Sequence, residues 1–515
     1  MKVIAMYLPQ FHRVKENDEW WGDGFTEWTS VKSAKKLFPE HEQPNVPLNH
    51  RYYDLMNPET MRWQAGLMHQ YGVDGMCFYH YYFKDGRRIL ERPAENLLHW
   101  KDIDMPFCFS WANESWVRSW SRLTKQRGNP WFAKFDPEGA RDDDGILLEQ
   151  SYGGEDAWRA HFAYLSSFFH DRRYILHDNQ PLFLIYKPRD IPCLREMLQL
   201  WDKLAQAEGF DGVYAIGSNI EEYQQLGLKG AMLQEPGGTA ALFAAEKNEN
   251  THQVKAIFDY ERAWQRIINR PIPKGGSPGG FAGYDDTPRR GHDGSVYVHR
   301  SPEIFGRGMR ALFEKAERNE APFIFINAWN EWGEGMYLEP DERYGFAFLE
   351  ALKRAREAYD AGKHFESDTQ NVIEGQLAFL QDENKALQKT CNRYRDYWRT
   401  LDLWMECREE GRSVAAWLRS QGIANVAIYG LGMLGRHLLW ELEKEGFPIC
   451  YSIDQQQEGW PRDFIVHMLE DDLPATDAVI VTVLYDFQRI QRILSKKGKW
   501  KIWALDEVLG RMREE

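Results

Sequence analysis

The sequence predicts an α/β protein made of a (β/α)8 TIM barrel, a long coiled-coil helix and a small Rossmann-like domain. Three observations indicate this fold: short apolar runs alternate with amphipathic stretches, a heptad pattern begins near residue 370, and a glycine-rich turn follows an apolar run near residue 430. A chain of 515 residues also exceeds what one core usually holds. We therefore expect a barrel at 1–365, a helical linker at 366–420 and a small domain at 421–515.

The predicted barrel rests on eight apolar runs, which are the candidate strands. They are Val3–Tyr7, Gly75–Tyr82, Pro106–Trp111, Leu182–Tyr186, Gly212–Gly217, Ala231–Leu233, Gly280–Tyr284 and Phe323–Ala328. Helix-like segments lie between several of them, including 58–71, 157–169 and 192–208. Strands that alternate with helices over this length are typical of a (β/α)8 barrel with long loops. A doubly wound sheet would need a phosphate-binding turn after its first strand, and the segment 9–12 is not such a turn.

A heptad pattern begins near residue 370 and continues for more than four heptads. Its seam is formed, at alternating spacings of four and three, by Ile373, Leu377, Leu380, Asn384, Leu387, Cys391, Tyr394, Trp398, Leu401 and Met405. A polar seam residue such as Asn384 often fixes the register and the number of strands of a coiled coil. The pattern favours a homo-oligomer joined through this coiled coil. The alternative is a long helix packed against its own barrel.

The last segment opens with a strand-like run that leads into Gly430-Leu431-Gly432-Met433-Leu434-Gly435. Asp454 follows a second apolar run, at about the place where a dinucleotide-binding fold holds the ribose. Further strands at 478–483 and 500–505 would complete a small parallel sheet. Gly430, Gly432, Gly435 and Asp454 are therefore candidate cofactor-binding residues. The fingerprint alone leaves open whether a nucleotide binds or the glycines serve only tight packing of a strand on a helix.

The composition argues against several classes of partner and site. The net charge is −14, whereas a nucleic-acid partner requires a basic face. No run of about 18 apolar residues is present, so we expect no membrane span. The N-terminus turns polar too soon for a signal peptide, and the six cysteines show no CxxC spacing, so we expect a cytoplasmic protein with reduced thiols. The 21 Trp, 24 Tyr and 28 Phe fit a glycan binder and equally a large aromatic core.

The most informative segment follows the last predicted strand and reads Trp329-Asn330-Glu331-Trp332-Gly333-Glu334-Gly335. In a barrel, the carboxyl ends of the strands form the active-site face. The glycines at 333 and 335 break the strand, and in a helical turn residues three apart share one face. We therefore expect Glu331 and Glu334 to point into one pocket as the catalytic residues.

Two carboxylates in an aromatic pocket suit chemistry at a glycosidic bond. One carboxyl group protonates the leaving oxygen while a second acts on the anomeric side. In one pocket the two groups push their pKa values apart, so that one can remain protonated as the acid. The alternative is that one or both glutamates cap the following helix. No His, Asp or Glu set has convincing metal-ligand spacing, so we predict no catalytic metal and no cofactor for the barrel chemistry.

Polar and aromatic residues also follow the other predicted strands, as a convergent pocket requires. The candidate substrate-binding residues at these strand ends and beside the two glutamates are Gln10, Tyr79, His80, Trp111, Asn113, Glu114, Tyr186, Asp285, Arg289, Trp329, Asn330 and Trp332. Each alone could equally be an ordinary core or loop residue. Their recurrence at the same end of successive strands favours a sugar site.

Several spaced motifs make roughly the first 360 residues similar to a known family. They are Tyr7-Leu8-Pro9-Gln10-Phe11-His12, Trp20-Trp21-Gly22, Gly24-Phe25-Thr26-Glu27-Trp28, Gly72-Val73-Asp74-Gly75, Tyr79-His80-Tyr81 and Trp111-Ala112-Asn113-Glu114. On these motifs the chain resembles the WbsX family of bacterial lipopolysaccharide and capsule biosynthesis regions. That family is similar to glycoside hydrolase family 99, the endo-α-mannosidases. Tyr7 and Trp28, which lie within the motifs, join the candidate substrate-binding residues.

The resemblance implies a (β/α)8 fold and a retaining mechanism without an enzyme-bound glycosyl intermediate. By position in the motif Asn-Glu-Trp-x-Glu-Gly, Glu331 would be the base that draws the proton from the sugar 2-hydroxyl to give a 1,2-anhydro sugar. Glu334 would be the acid that protonates the leaving group and then activates the water or acceptor. The hydrolases usually carry His where this chain has Gly333, a departure that bears on the subsite beyond the leaving group.

These inferences leave three functional hypotheses. The first is a glycoside hydrolase-like enzyme that acts on α-linked bacterial oligosaccharides or polysaccharides in lipopolysaccharide, O-antigen or capsule biosynthesis. The second is a glycosyltransferase or transglycosylase that uses the same pocket. The third is a non-catalytic glycan-binding assembly protein whose coiled coil gathers several barrels. Two intact carboxylates argue against the third, because a binding module needs neither an acid nor a base.

Overall fold

The chain folds into two units, 1–380 and 381–515, with the boundary inside the helix Thr369–Glu409. The computed structural model describes residues 1–83, 86–117, 146–239, 254–362, 369–454, 465–469 and 471–514. The predicted barrel domain therefore lies in the first unit, and the predicted small domain lies in the second.

Eight parallel strands form a nearly closed barrel sheet in the first unit. They are β1 (Lys2–Tyr7), β2 (Gly75–Tyr82), β3 (Phe107–Trp111), β4 (Gln180–Ile185), β5 (Tyr214–Ser218), β6 (Gly230–Met232), β7 (Gly276–Ser277 and Gly279–Phe281) and β8 (Phe323–Asn327). Neighbours in the chain are neighbours in the sheet, and β8 returns to pair with β1. Strands of this sheet are buried along nearly their whole length, which explains why they read as continuous apolar runs.

The seventh strand is interrupted at Pro278, which has no amide hydrogen to donate to the sheet. Its first piece pairs with β6 and its second piece pairs with β8. Gly279 allows this close approach, because a Cβ there would lie 1.8 Å from the carbonyl oxygen of Leu233. The sequence predicted this strand at Gly280–Tyr284, which is too late in the chain, because its glycine-rich start carries no apolar side chains to signal a strand.

Helices alternate with most of the strands in the first unit. They are α1 (Lys15–Trp21), α2 (Glu27–Ser33), α3 (Pro58–Tyr71), α4 (Arg92–His99), α5 (Glu155–Phe169), α6 (Leu194–Ala207), α7 (Tyr260–Asn269), α8 (Thr287–Arg290), α9 (Pro302–Arg318) and α10 (Ala347–Asp360). The ends of α3 follow from its sequence. The Asn57 side chain accepts a hydrogen bond from the Glu59 amide, Pro58 occupies the first turn, and Gly72 ends the helix with φ 80°.

Short strand pairs lie in the connections between these elements. Arg88–Ile89 pairs with β2, and Leu176–His177 pairs with β4. The remaining pairs are Trp116–Val117 with Ile146–Leu148, Ala256–Asp259 with Ser295–Val298, and Asn330–Glu331 with Met336–Tyr337. The last pair holds the segment that follows β8.

The second unit contains a five-stranded parallel sheet. Its strands are β9 (Val426–Tyr429), β10 (Ile449–Ile453), β11 (Val466–His467), β12 (Ala478–Val481) and β13 (Lys501–Ala504), in the order β11-β10-β9-β12-β13. Its helices are α11 (Thr369–Glu409), which begins in the first unit, α12 (Val414–Ser420), α13 (Met433–Lys444), α14 (Phe487–Lys497) and α15 (Leu505–Glu514). The sequence indicated every strand except the short edge strand β11. The Rossmann-like assignment of this unit stays a prediction.

The later part of α11 has two apolar faces. One face contributes Trp404 and Cys407, which are buried in a core shared with α12 and α13. The other face follows the heptad seam and is exposed: the solvent-accessible fractions of Leu387, Tyr394 and Trp398 are 57%, 61% and 65%. The core of the second unit therefore leaves these seam residues uncovered.

Within the ranges that the structure describes, none of the helices combines the length and the apolar character that a membrane span requires.

Candidate active site

A cavity of about 460 Å³ opens at the carboxyl ends of the barrel strands. Every strand contributes a residue at or just beyond its end, namely Leu8, Tyr81, Glu114, Tyr186, Asn219, Gln234, Tyr284 and Asn327. Aromatic rings form much of the wall and come from Trp21, Phe25, Tyr79, Tyr81, Trp116, Tyr186 and Tyr284. Aromatic walls with a few polar groups are typical of a small-molecule site, and here they occupy the active-site face of a barrel.

Glu331 and Glu334 lie together in this cavity because of the backbone that follows β8. Glu331 ends the short strand Asn330–Glu331, and Trp332–Glu334 forms a single 3-10 turn. In such a turn, residues three apart lie on nearly the same side. Gly335 ends the turn with φ 61°, a left-handed conformation that favours glycine. The broken strand expected from the sequence thus carries both carboxylates into one pocket.

One arginine binds both glutamates. Nη2 of Arg289 donates to Glu331 Oε2 at 2.9 Å, and Nη1 donates to Glu334 Oε1 at 2.5 Å. Nε of the same guanidinium donates to Oε1 of a third carboxylate, Glu27, at 2.8 Å. Because both catalytic candidates bind one planar group, their carboxylates lie close together. Charge-assisted contacts of this kind also restrict their orientation.

The two glutamates differ in their exposure to water. The side chain of Glu331 is 7% exposed, whereas that of Glu334 is 26% exposed. Burial raises the pKa of Glu331 to about 8; the positive charge of Arg289 opposes this shift, and the negative charges of Glu334 and Glu27 add to it. The free site therefore favours a proton on Glu331 at neutral pH.

A buried carboxylate behind the cavity holds the residues on both sides of Glu331. Glu339 accepts hydrogen bonds from the indole nitrogens of Trp329 at 3.0 Å and Trp332 at 2.7 Å. It also accepts from Gln64 Nε2 at 2.7 Å and from the Tyr53 hydroxyl at 2.9 Å. Each of its oxygens thus receives two donors. Burial raises the pKa of Glu339 to about 7, and these donors act against that shift.

Asn330 ties the same segment to the first strand of the barrel. Its Oδ1 accepts from the Leu8 amide at 2.7 Å, and its Nδ2 donates to the Leu8 carbonyl at 3.0 Å. The Tyr7 hydroxyl donates to Gln64 at 2.7 Å, which extends the network around Glu339. Residues adjacent to Glu331 are therefore fixed by buried polar contacts, and Glu331 itself faces the cavity.

The structure brings some of the predicted site residues to the cavity and places others behind it. Those in its lining are Glu331, Glu334, Gln10, Tyr79, Glu114, Tyr186 and Arg289. Those outside its lining are Tyr7, Trp28, His80, Trp111, Asn113, Asp285, Trp329, Asn330 and Trp332. All nine residues of the second group are buried, so their side chains belong to the wall behind the cavity.

The buried residues of the second group have partners within the protein. His80 bonds to His161 at 2.8 Å between their Nε2 atoms. Asp285 accepts from the side chains of Gln43 and Thr287 and lies 2.8 Å from His41 Nε2. Asn113 bonds to the backbone of Lys187, Trp28 donates to the Tyr53 carbonyl, and Trp111 donates to the Tyr82 carbonyl. These contacts support the wall rather than reach into the cavity.

Sequence reasoning did not single out several residues of the cavity and its support. In the lining they are Trp21, Phe25, Glu27, Tyr81, Trp116, Asn219, Gln234, Tyr284 and Asn327. Glu27 and Tyr81 lie inside motifs already noted, so position in a motif was the available signal. Asn219 and Gln234 follow β5 and β6 and could have been found from the strand ends. Glu339 gives no such signal, because its partners are distant in the sequence.

The glycine-rich turn of the second unit is closely packed. A Cβ at Gly435 would lie 1.9 Å from the carbonyl oxygen of Gly430, so glycine at 435 lets α13 approach the end of β9. The Asp454 carboxylate accepts a hydrogen bond from the Leu431 amide at 2.5 Å. At Gly432 a Cβ would meet open space. Close packing explains Gly430 and Gly435 without a nucleotide.

Across the described ranges, no three His, Cys, Asp or Glu residues are arranged to hold a metal ion.

Known proteins resemble this chain in sequence. Residues 3–352 match the family model described as Glycosyltransferase WbsX. Two curated relatives, both called uncharacterized protein WxcX, come from strain B100 and a second strain of Xanthomonas campestris pv. campestris. Each is 32% identical over 363 residues, which is 68% of this chain and 49% of the relative. The chain thus spans about half the length of the curated relatives it matches.

Solved structures with some similarity include the GH99 endo-alpha-mannosidase from Bacteroides thetaiotaomicron, at 16% identity and a TM-score of 0.40. That match covers 70% of this chain and 98% of the mannosidase chain. A glycoside hydrolase-like protein matches at 11% identity and a TM-score of 0.42, covering 69% and 93% of the two chains. The family itself is decided by the sequence match over residues 3–352. The chain belongs to the WbsX glycosyltransferase family.

Proposed function

We propose that the barrel is a carbohydrate-active enzyme that cleaves or transfers α-linked glycosidic bonds of bacterial surface polysaccharides. One observation carries this proposal: Glu331 and Glu334 lie together in an aromatic-walled cavity at the carboxyl ends of the strands and share Arg289. Paired carboxylates at this place are what acid–base chemistry at an anomeric carbon requires. The membership of a family named for glycosyl transfer supports the same class of substrate.

The proposed chemistry is retaining and passes through a 1,2-anhydro sugar. In its ionised form, Glu331 takes the proton from the 2-hydroxyl, and its raised pKa makes this form a stronger base than an ordinary glutamate. The 2-oxygen attacks the anomeric carbon while Glu334, in its protonated form, protonates the leaving oxygen. In the second step, Glu334 takes a proton from water or an acceptor hydroxyl, which attacks the anomeric carbon. The bond from that carbon to oxygen 2 breaks, and Glu331 returns the proton to oxygen 2. Two inversions give net retention, and no bond to the protein forms.

Buried amide oxygens in the cavity wall support a polyhydroxylated substrate. Gln234 Oε1 and Asn327 Oδ1 are buried, and neither has a hydrogen-bond partner among the described residues. A buried acceptor without a donor costs about 1–3 kcal/mol, which a ligand hydroxyl would recover. Sugar hydroxyls are donors of this kind, and the aromatic rings of the wall offer flat surfaces for the sugar ring.

Transfer to a glycan acceptor is the second candidate, and the family description favours it. The same two carboxylates serve both outcomes, because only the molecule that attacks the 1,2-anhydro sugar differs. A non-catalytic glycan-binding protein is the third candidate. It would leave a buried, high-pKa carboxyl group in the cavity without a use.

The test is product analysis with the full chain. Purified protein is incubated with the surface polysaccharide of the host bacterium in ¹⁸O-labelled water, with and without added oligosaccharide acceptors. Mass spectrometry then identifies the products. Hydrolysis predicts shorter glycans that carry the label, and transfer predicts elongated glycans without it. Unchanged polysaccharide in every arm, together with measurable binding of the glycan, would favour the binding-protein candidate.

We further propose that the barrel chemistry needs no cofactor, because acid and base both come from the chain. For the second unit we propose an assembly role; the close packing at Gly430 and Gly435 fits this role, and a nucleotide-binding turn requires the same packing. The cytoplasmic location expected from the sequence stays a prediction.

We also propose that the chain forms a homo-oligomer, a parallel two-stranded coiled coil of α11 with a second copy. The exposed seam residues follow heptad spacing, with Leu377, Asn384, Cys391, Trp398 and Met405 in one seam position and Leu380, Leu387 and Tyr394 in the other. In a parallel, in-register pair each Asn384 meets its own copy, which satisfies the amide and fixes the register. Burial of these apolar side chains supplies the driving force.

Charged substitutions in the seam are expected to give monomers. Leu387→Lys combined with Trp398→Lys places charges where the two helices would meet. Both side chains are exposed in the single chain, so we expect the substitutions to have little effect on its folding. Analytical ultracentrifugation of the full chain measures the result. Asn392→Lys, which adds a charge outside the seam on the same helix, is the control and should leave the oligomer intact. An unchanged mass for the seam variant would refute the coiled coil.

A further inference from the structure

Arg289 lies where three short elements of the first unit pack together. It belongs to α8, Glu27 is the first residue of α2, and Glu334 ends the 3-10 turn Trp332–Glu334. The three nitrogens of the guanidinium, Nε, Nη1 and Nη2, each donate to a different carboxylate. Glu27 binds Nε, and its side chain is only 3% exposed. It is therefore a buried partner of Arg289 and not a surface contact.

Gly333 leaves the space that the Glu27 carboxylate fills. A Cβ at position 333 would lie 1.6 Å from Glu27 Oε1 and 2.8 Å from Arg289 Nε. The backbone of Gly333 is not in the left-handed region, so glycine is needed there for room and not for conformation. Any side chain at 333 would push Glu27 away from Arg289. Gly333 and Glu27 are thus sterically linked, because a side chain at position 333 and the Glu27 carboxylate would occupy the same space.

We propose that Glu27 is a positioning residue for the proposed reaction: it holds Arg289 between Glu331 and Glu334, and Gly333 provides the space for this contact. This role is additional to the acid and base assignments. Its effect on turnover rests on the proposed function. Glu27 acts through Arg289, because the guanidinium is the group that contacts both glutamates.

The physical reason is the fork geometry of the guanidinium. Its Nη atoms reach both glutamates only while the plane of the group keeps one orientation, and an acceptor on Nε fixes that orientation. Three carboxylates also share one positive charge, so the cluster retains excess negative charge. The charged or titratable groups that face Glu331 are Glu27, Arg289, Glu334, Tyr79, Tyr81 and Tyr186. Removal of the Glu27 charge should therefore favour the ionised form of Glu331.

The steric link is tested by a double-mutant cycle that needs no substrate. Gly333→Ala, Glu27→Ala and the double variant are compared with the natural chain by thermal melting. We expect Gly333→Ala to lower the melting temperature strongly in the natural background and clearly less in the Glu27→Ala background, because the carboxylate that lies 1.6 Å from the added Cβ is gone and only the Arg289 side chain must shift. Gly237→Ala is the control, since a Cβ there meets open space. Equal losses in both backgrounds would overturn the link.

The positioning role is tested by titration of Glu331. Infrared difference spectra of Glu27→Gln, Glu27→Ala and the natural chain, each referenced to its Glu331→Gln counterpart, follow the carboxyl band of Glu331 with pH. We expect the band to disappear at lower pH in Glu27→Gln, which loses the negative charge but keeps an acceptor for Arg289 Nε. In Glu27→Ala the acceptor is lost too, so Arg289 is released from Glu331 and the band should disappear at higher pH than in Glu27→Gln; identical titration in the two variants would show that Glu27 does not position Arg289. Once a substrate is known, kcat should fall about 100-fold with a smaller change in KM. An unmoved titration would overturn the proposal, while absence of any glycan product with a shifted titration would count against the proposed function alone.

Discussion

Replacement of Glu331 or Glu334 by glutamine is expected to reduce turnover by about 10²–10⁴-fold in each case. Glutamine has nearly the same shape but can neither accept the 2-hydroxyl proton nor donate one to the leaving oxygen. Both positions lie in one cavity and contact one guanidinium, so each substitution removes a different proton transfer at the same site. Initial rates on the glycan identified by product analysis measure the effect.

Three results would distinguish lost chemistry from lost structure. The variants should retain glycan binding and melt close to the natural chain, because the replacement is isosteric. Glu357→Gln, an exposed position on α10, is the matched control and should retain full turnover. Full activity in either cavity variant would contradict the assignment of that glutamate.

The pH dependence of the natural chain provides a second readout of Glu331. As a base, Glu331 must be ionised, so kcat/KM should rise as the pH increases towards about 8, the value to which burial raises its pKa. The effect on stability has the opposite sign. The folded chain binds more protons than the unfolded chain between the ordinary pKa of a glutamate, about 4.3, and that raised value. The contribution of Glu331 to stability is therefore complete below the ordinary pKa and is lost as the pH rises through about 8.

The barrel strands could be predicted from sequence because burial on both faces leaves continuous apolar runs. β2 was predicted with its observed ends, and β8 to within a residue. The exception is β7, where Pro278 and the glycines around it replace apolar side chains. There the strand is held by its neighbours in the sheet, which a single segment of sequence does not reveal.

The site was predictable where its parts are local in the chain. Glu331 and Glu334 are three residues apart, so one turn of backbone decides that they share a cavity. Motif membership did not separate the residues that face the cavity from those behind it. Trp28 and Trp332 pack against each other with ring centroids 5.7 Å apart, while Glu27, the neighbour of Trp28, reaches Arg289. Which of two adjacent motif residues faces the cavity depends on tertiary packing.

Glu339 is the clearest example of a supporting residue that could not be identified from the sequence. Its donors include Gln64 and Tyr53, which are 275 and 286 residues away in the chain. A single glutamate between Leu338 and Pro340 gives no indication that four donors converge on it. The network lies behind the motif that carries Glu331 and holds two of its tryptophans. We therefore expect substitution of Glu339 to affect both stability and turnover strongly.

Replacement of Glu339 by glutamine is expected to lower the free energy of unfolding by about 2–4 kcal/mol. In the variant, the amide nitrogen replaces a carboxylate oxygen that accepts hydrogen bonds from two donors in the natural chain. Because the site is buried, water does not replace the lost hydrogen bonds. An indole nitrogen or the Gln64 amide is then left unsatisfied. Chemical denaturation at neutral pH, with Glu357→Gln as the control on the surface, measures the difference. An unchanged unfolding free energy would contradict the network.

The same substitution should also reduce turnover in the molecules that remain folded. Trp329 and Trp332 lie on either side of Glu331 in the chain and both donate to Glu339, so loss of these bonds frees the backbone that carries the proposed base. We expect kcat to fall by about tenfold or more under conditions where the variant is fully folded, since small displacements of a catalytic group have large effects on rate. Normal kcat in a destabilised but folded variant would show that Glu339 serves stability alone. A fall in kcat would show that the buried network also sets the position of Glu331.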